Sequence, residues 1–542
     1  MNAVWLVLVG LLVLAAGFWF YSALAARWFG VDPQATTPAH RLRDGLDYDP
    51  TPTPVLFGHH FASIAGAGPI IGPILAASYG WLGVFLWLVL GAVLAGGIHD
   101  MGSILASVKH EGRSIGELIG RYLRPEARVV FLLFAWVTLV LVIAAFDVIV
   151  AKTFARSPEV ATASLLFLFL ALLFGFLRQK GFPLGLLTLI GLGGLVGAIY
   201  LGFHFPLLLA ESKWRLLLFA YIFLAAVTPV WLLLQPRDYL NAFLLYGLLL
   251  GGLVGLFLAA PAIELPAFVG WKNELGPLFP ILFVITSCGA VSGFHSLVGS
   301  GTTAKQLDRE TQARLIGYGG MLLETVLALV ALMAVIGLSL PEYKALLKAK
   351  GPIAAFAQGV GGFFAALGFS AKAGEAFAAL AVSAFALTSL DTATRVGRFT
   401  LEEIWGKAGF EGKRFLTTAF TVALAAALAL SGTWKSIWPL MGTANQLLAA
   451  LALLALTAWL KAMGRYYAFL KWPTVFMFLV TLTALVLLMG KNLVQGNFLL
   501  LIMATGLLVL ALYLAWTGLR PPASHPKGSC EAGVGSEHEG GH

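Results

Sequence analysis

Imidazole and carboxylate side chains set inside long apolar runs are the residues of this chain with the means to do chemistry. His59 and His60 open an apolar stretch at 57–79, and His99, Asp100, Asp147, His295, Glu324 and Asp391 lie in others. An ionisable group at the centre of a membrane helix costs ~2.5–3.5 kcal/mol on insertion scales, so each needs a partner or a task. Histidine changes charge near neutral pH, and burial or a neighbouring carboxylate moves that point. Such pairs are the parts of a proton relay, with His99, Asp100, Asp147, Glu324 and Asp391 as candidate coupling groups. Blander roles stand beside this one. His59 and His60 fit helix-start positions at the interface, Asp147 fits an interfacial cap, and Glu324 and Asp391 fit partners for Arg314 or Arg395.

The same stretches carry backbone breaks. After His59 and His60 come Ser63, Gly66, Gly68, Pro69, Gly72 and Pro73, a poor sequence for one continuous helix. A second such stretch, 286–303, holds Gly289, Gly293, His295, Ser296, Gly299, Ser300 and Gly301. In hydrocarbon a broken helix survives only where protein or a watery cavity satisfies the freed N–H and C=O groups, so a discontinuous span points to a solute or ion site. Bare amides around 66–68 and 299–301 would suit an anionic carboxylate, as helix N-termini do. His59, His60, Ser63, Gly66, Gly68, His295, Ser296, Ser300, Gly301, Asn445 and Gln446 are the candidate substrate contacts. For Asn445 and Gln446 the alternative is hydrogen bonding between helices. The run 296–301 echoes 63–68, and the two stretches are expected to cross in opposite directions, as inverted repeats do. Glycine-mediated helix packing explains the echo equally well.

The elements that must position these residues are membrane helices. Of 542 residues, 59% are hydrophobic and 11% charged, against about 25% charged in a soluble protein. Apolar runs near twenty residues recur throughout, so the expected fold is all-α and polytopic, with some helices broken. About fifteen crossings are expected: 3–25, 57–79, 80–107, 128–150, 160–178, 182–203, 214–234, 240–260, 277–302, 317–340, 374–394, 415–431, 433–460, 472–490 and 497–518. These make a transporter domain over 1–520, with a core at about 57–460 and peripheral helices at 1–25 and 472–518. Residues 26–56 read as a polar cytoplasmic loop, 341–373 as an outer excursion with a short amphipathic helix, and 521–542 as a disordered cytoplasmic tail. Alternate loops and the tail hold 24 of the 35 Lys and Arg, leaving 11 on the other side. That bias predicts an outside N-terminus and a cytoplasmic C-terminus. The net charge of +9 therefore reports insertion rather than a nucleic-acid partner. Cys288 and Cys530 sit in contexts that cannot pair.

Four motifs carry a family resemblance. They are Gly58-His59-His60-Phe61 leading to Gly66-Ala67-Gly68-Pro69, Ser292-Gly293-Phe294-His295 leading to Ser300-Gly301-Thr302-Thr303, Ser389-Leu390-Asp391-Thr392-Ala393-Thr394-Arg395, and Trp438-Pro439-Leu440 leading to Ala444-Asn445-Gln446-Leu447-Leu448. In this order they closely resemble the carbon starvation protein A family. The resemblance implies a bacterial or archaeal inner-membrane protein linked to nutrient limitation. It implies uptake of peptides or of pyruvate, the latter by proton symport, and distant kinship to the amino acid–polyamine–organocation transporters with their broken-helix core. It carries over His59, His60, Gly66, Gly68, His295, Ser300, Asp391, Asn445 and Gln446 as motif positions.

The expected function is a secondary transporter, not an enzyme, importing pyruvate or short peptides during carbon starvation by proton-coupled alternating access around 57–79 and 286–303. No GxxxxGK[ST] sequence is present to bind ATP. Its partners are then a small carboxylate or peptide, protons and lipid. A different class competes: a metal- or haem-binding redox protein with His59, His60, His99 and His295 as ligands. A bound metal ion at His59, His60 or His295 is also compatible with a carrier, which itself requires no cofactor. A sensor that binds nutrient without moving it is disfavoured, since no stretch has room for a signalling domain.

Overall fold

The computed structural model describes residues 2–45, 47–405, 413–430 and 434–519. It is predominantly helical, and among the described residues the two named strands are Lys272–Asn273 and Gly276–Pro277, paired antiparallel. Cys530 and the tail 521–542 lie outside the described residues.

Among the described residues twelve helices are long and apolar enough to cross a membrane, or thirteen spans if Thr53–Ile64 and Gly68–Tyr79, bent by 44°, count as one. Two of the fifteen expected crossings differ. The segment at 214–234 is the shorter helix Glu211–Val227. The segment at 277–302 is three pieces, Leu278–Ile285, Ser287–Ala290 and Gly293–Gly301. Both stretches expected to break are therefore broken. Peripheral helices turn large apolar side chains outward, with Leu189 71% and Val196 68% exposed, as lipid contact requires. The excursion at 341–373 folds as Leu340–Lys350 and Pro352–Ala366, the first opened by a Ser339–Glu342 capping box.

The two broken segments pack directly on each other, and glycine makes the approach possible. A Cβ on Gly68 would collide with the Cys288 side chain, and one on Gly72 with the Ile285 carbonyl oxygen. The freed backbone groups find side-chain partners. Ser389 Oγ donates to the Ser63 carbonyl at 3.0 Å, just before the first helix stops. At the second break Val291 and Ser292 are extended. There Asn445 Oδ1 accepts the Phe294 N–H at 2.7 Å, and Asn445 Nδ2 donates to Ser292 Oγ at 3.1 Å. Two wide, π-helical segments, Trp87–Gly96 and Arg314–Gly319, precede His99-Asp100 and Glu324 on their helices. Tyr318 OH donates to the Val93 carbonyl within the first of them. Widened turns of this kind cluster at functional sites.

At one end of the bundle, the loop that follows the N-terminal helix is stitched across the helix ends. Thr51 N–H donates to the Gln306 carbonyl, Gln235 Nε2 donates to Thr51 Oγ1, and Gln312 Nε2 to Thr53 Oγ1. Tyr48 OH donates to the Glu111 carbonyl at 3.0 Å. Burial, and then the Asp44 carboxylate, push this phenol up to about 12, so it remains a neutral donor. Asp47 reaches Arg395 at 3.1 Å and Arg398 at 3.3 Å. This corrects one expectation: the crossing at 374–394 does not end before Arg395. The helix runs Ala371–Trp405 and buries both arginines.

The packing of the two breaks yields the first prediction. Gly72→Val must push the segments apart, overpacking that costs ~1–3 kcal/mol. It is expected to lower the thermal unfolding midpoint in detergent by several degrees. Gly506→Ala, with open space around it, is expected to leave the midpoint unchanged or raised.

Candidate functional site

Beside the breaks lies a buried array of two imidazoles and two carboxylates. Asp100, on the helix Trp81–Val108, receives both: His99 Nδ1 stands 2.7 Å from Oδ1 and His295 Nδ1 2.8 Å from Oδ2. Glu324 Oε2, on Arg314–Ile336, stands 3.2 Å from His295 Nε2. The angle there does not make a hydrogen bond, and both Glu324 oxygens lack such a partner among the described residues. All four side chains are at most 1% exposed. His295 is held here because the second break ends two residues before it, at Gly293. A Cβ on Gly293 would strike the Asn445 backbone.

A second buried group sits across the first break. His59 Nδ1 is 2.7 Å from Asp238 Oδ2. Arg237 Nε donates to Asp238 Oδ1 at 2.9 Å, and Arg237 also pairs with Asp391. Arg237 Nη1 donates to Tyr221 OH at 2.6 Å, and Tyr221 OH donates to Asp391. His60, the neighbour of His59, has Nδ1 2.8 Å from Thr303 Oγ1 and lies within electrostatic reach of Asp100 and His295. The adjacent histidines therefore bridge the two groups.

Charge accounting shows what this arrangement does. An unpaired charge in a low-dielectric interior costs several kcal/mol, so buried groups must sum close to neutral. The first array holds two carboxylates and no arginine or lysine. Only protons, on imidazole or on carboxyl, can balance it. In the second, Arg237 touches both Asp238 and Asp391, and Arg395 lies within electrostatic reach of Asp238.

The structure places the other expected residues as follows. Ser63 Oγ is 3.0 Å from Thr392 Oγ1, and Gly66 lies against Ser389 and Phe146. Gly68 serves the contact with Cys288. Ser296 Oγ donates to the Gly293 carbonyl, Ser300 Oγ to the Ser296 carbonyl, and Gly301 packs on Val396. Gln446 Nε2 is 3.8 Å from Met477 Sδ, with its Oε1 unpartnered among the described residues. Asp147 is buried with both oxygens unpartnered among the described residues, and its nearest charges are Arg215 and Glu211; it joins neither array. The partners expected for Glu324 and Asp391 are engaged elsewhere: Arg314 donates to Ser22 and Phe18, and Arg395 pairs with Asp47. Sequence reasoning missed Arg237, Asp238 and Tyr221. The expected crossing began at 240 and left Arg237 in a loop, whereas the helix Leu234–Ala259 takes in both charged residues and buries them. As for metal, His59, His60 and His295 face separate partners. Among the described residues no group of three or more His, Cys, Asp or Glu is arranged to hold an ion.

Removing one member of a buried charge pair strands the other, at roughly 3–5 kcal/mol. Arg237→Gln is expected to lower stability strongly in a detergent melt. Arg237→Gln combined with Asp391→Asn is expected to recover part of the loss, a positive coupling in a double-mutant cycle.

The profile of the family described as "Carbon starvation protein CstA" matches residues 2–349 and 341–484. The Escherichia coli (strain K12) protein named peptide transporter CstA is 36% identical over 571 residues, covering 89% of this chain and 80% of the relative. The protein of the same strain named pyruvate/proton symporter BtsT is 33% identical, covering 86% and 78%. The Bacillus subtilis (strain 168) protein named peptide transporter CstA is 32% identical, covering 84% of each. A solved structure of the Eremococcus coleocola manganese transporter, in complex with an aromatic bis-isothiourea substituted compound, superposes with a TM-score of 0.50 at 16% identity, over 88% of this chain and 98% of that one. At that identity the likeness speaks for the fold alone. Relatives and structural neighbours alike are named as transporters. With the four motifs in place and most of its length matched, this multi-pass membrane protein belongs to the carbon starvation protein CstA family.

Proposed function

We propose that the chain is a secondary active transporter that brings pyruvate or short peptides into the cell together with protons. It would work in the inner membrane of a bacterial or archaeal cell under carbon starvation, with its N-terminus outside and its C-terminus in the cytoplasm. The observation that carries the reading is the buried His99–Asp100–His295–Glu324 array, which has no permanent cation and lies beside two packed helix breaks. Support also comes from the names of its relatives, one a pyruvate/proton symporter and several peptide transporters.

In this reading the solute carboxylate meets backbone amides and small side chains around 66–68 and at the start of Gly293–Gly301. The amides at 299–301, expected to be bare, lie inside that helix, because the second break falls at 291–292. Protonation of the array removes net negative charge from the interior, and the loaded protein can then repack around the breaks. Return of the empty carrier requires the proton to leave. His59, Asp238, Arg237 and Asp391 sense the same event across the first break, since His59 adjoins His60. Ser63, Ser296, Ser300, Asn445 and Gln446 hold the broken segments in register. The reading calls on no cofactor, and transport leaves the solute chemically unchanged.

The test is uptake in proteoliposomes with labelled pyruvate and labelled alanyl-alanine. Wild type is expected to accumulate one or both only with an inward proton gradient. Glu324→Gln is expected to abolish gradient-driven accumulation, by tenfold or more, while solute counterflow without a gradient persists. His295→Ala is expected to abolish both with insertion intact. Accumulation by Glu324→Gln at the wild-type rate would remove the array from coupling.

A further inference from the structure

At the end of the bundle opposite the Asp47–Arg395 contact lies a cavity of about 710 Å³. Its apolar wall includes Ile71 and Leu75 from the second half of the bent span, Ile149 from Pro125–Arg156, and Ala379 from Ala371–Trp405. Around it stand Lys152, Arg156, Lys350 and Lys372, with Glu159 and Glu375 as the acidic residues. The four cations come from three separate helices: the C-terminal end of Pro125–Arg156, the end of Leu340–Lys350, and the start of Ala371–Trp405. They are four of the 11 Lys and Arg that the loop-charge bias leaves on the outer side. That side is otherwise poor in positive charge.

We propose that this cavity is an outer vestibule that binds the carboxylate of the incoming solute before it reaches the breaks. The inference rests on the transport reading and adds to it a first binding site and a chemical class. Arg156, Lys350 and Lys372 alone outnumber Glu159 and Glu375, and a solute anion relieves that excess of positive charge. A recess with low-dielectric walls and one sign of charge concentrates the opposite sign and speeds its arrival. The apolar wall suits the small hydrocarbon portion of such a solute. The position is also on the route. Along the helix, Ala379 precedes Ser389, which holds the first break, by ten residues, or ~15 Å. Ile71 lies on the half-span that begins at that break. At the far end of the same helix Asp47 pairs with Arg395 and Arg398.

The experiment measures KM and Vmax for pyruvate and for alanyl-alanine in proteoliposomes at low and at high ionic strength. It also measures affinity for each solute by calorimetry on detergent-solubilised protein. Arg156→Gln with Lys372→Gln is expected to raise KM and weaken calorimetric affinity about fivefold or more at low salt, with Vmax within twofold of wild type. The difference should shrink at high salt, because screening weakens exposed charges. Glu375→Gln is expected to shift KM the opposite way. Ala376→Trp, which fills the cavity, is expected to exclude the dipeptide more strongly than pyruvate. If only pyruvate responds to the charge changes, the vestibule selects the net anion over the zwitterionic dipeptide; if both respond, it reads the carboxylate alone. KM and affinity unchanged by both charge changes would overturn the vestibule. If wild type accumulates neither solute, the transport reading fails, and the calorimetric arm still scores the cavity by itself.

Discussion

Electroneutrality in a dry interior governs this molecule. Asp100, Glu324, Asp238 and Asp391 are four carboxylates closed into one apolar core, and Arg237 pairs with the last two. The imidazoles of His59, His99 and His295 lie against Asp238 and Asp100. Each imidazole has a ring nitrogen within 2.8 Å of a carboxylate oxygen. A soluble protein would leave such groups wet. Here an uncompensated charge would sit in hydrocarbon, so the groups must be held as partners.

The breaks follow the same logic for the backbone. A helix interrupted in lipid would leave amides and carbonyls without partners. Ser389 and Asn445 supply them from two other helices, and both sit in polar motifs that also carry charge or its neighbours. Glycine at 68, 72 and 293 lets the interrupted segments approach closely enough for those short side chains to reach. Backbone satisfaction and charge balance are thereby built from the same few helix faces. A shift in one disturbs the other.

Much of this was legible in the sequence. His59, His60, His295 and Asp100 stood out because hydrocarbon penalises them, and Gly66, Pro69 and Gly293 marked the interruptions because few other residues tolerate them. The missing residues had local disguises. Gln235, Pro236, Arg237 and Asp238 read as a loop, yet proline in the first turn of a helix is well placed, and the helix simply starts earlier. Arginine near a membrane edge also counts as a topology signal, which hid the burial of Arg237, Arg395 and Arg398. Which carboxylate meets which cation was not legible at all. Asp238 finds His59 across 179 residues of chain, and Asp47 finds Arg395 across 348, pairings set by tertiary packing alone.

The helix Ala371–Trp405 carries Ala376 and Ala379 at one end, Asp391 along its middle, and Arg395 and Arg398 toward the other. Its 35 residues make a rod about 52 Å long, without a proline or a break. Such a rod acts as a lever. Pivoting by ~10° near its centre swings each end by roughly 4–5 Å. That is more than the reach of the Asp47 ion pairs and enough to narrow a mouth at the opposite end. Opening one face of the membrane and sealing the other would then be a single mechanical stroke.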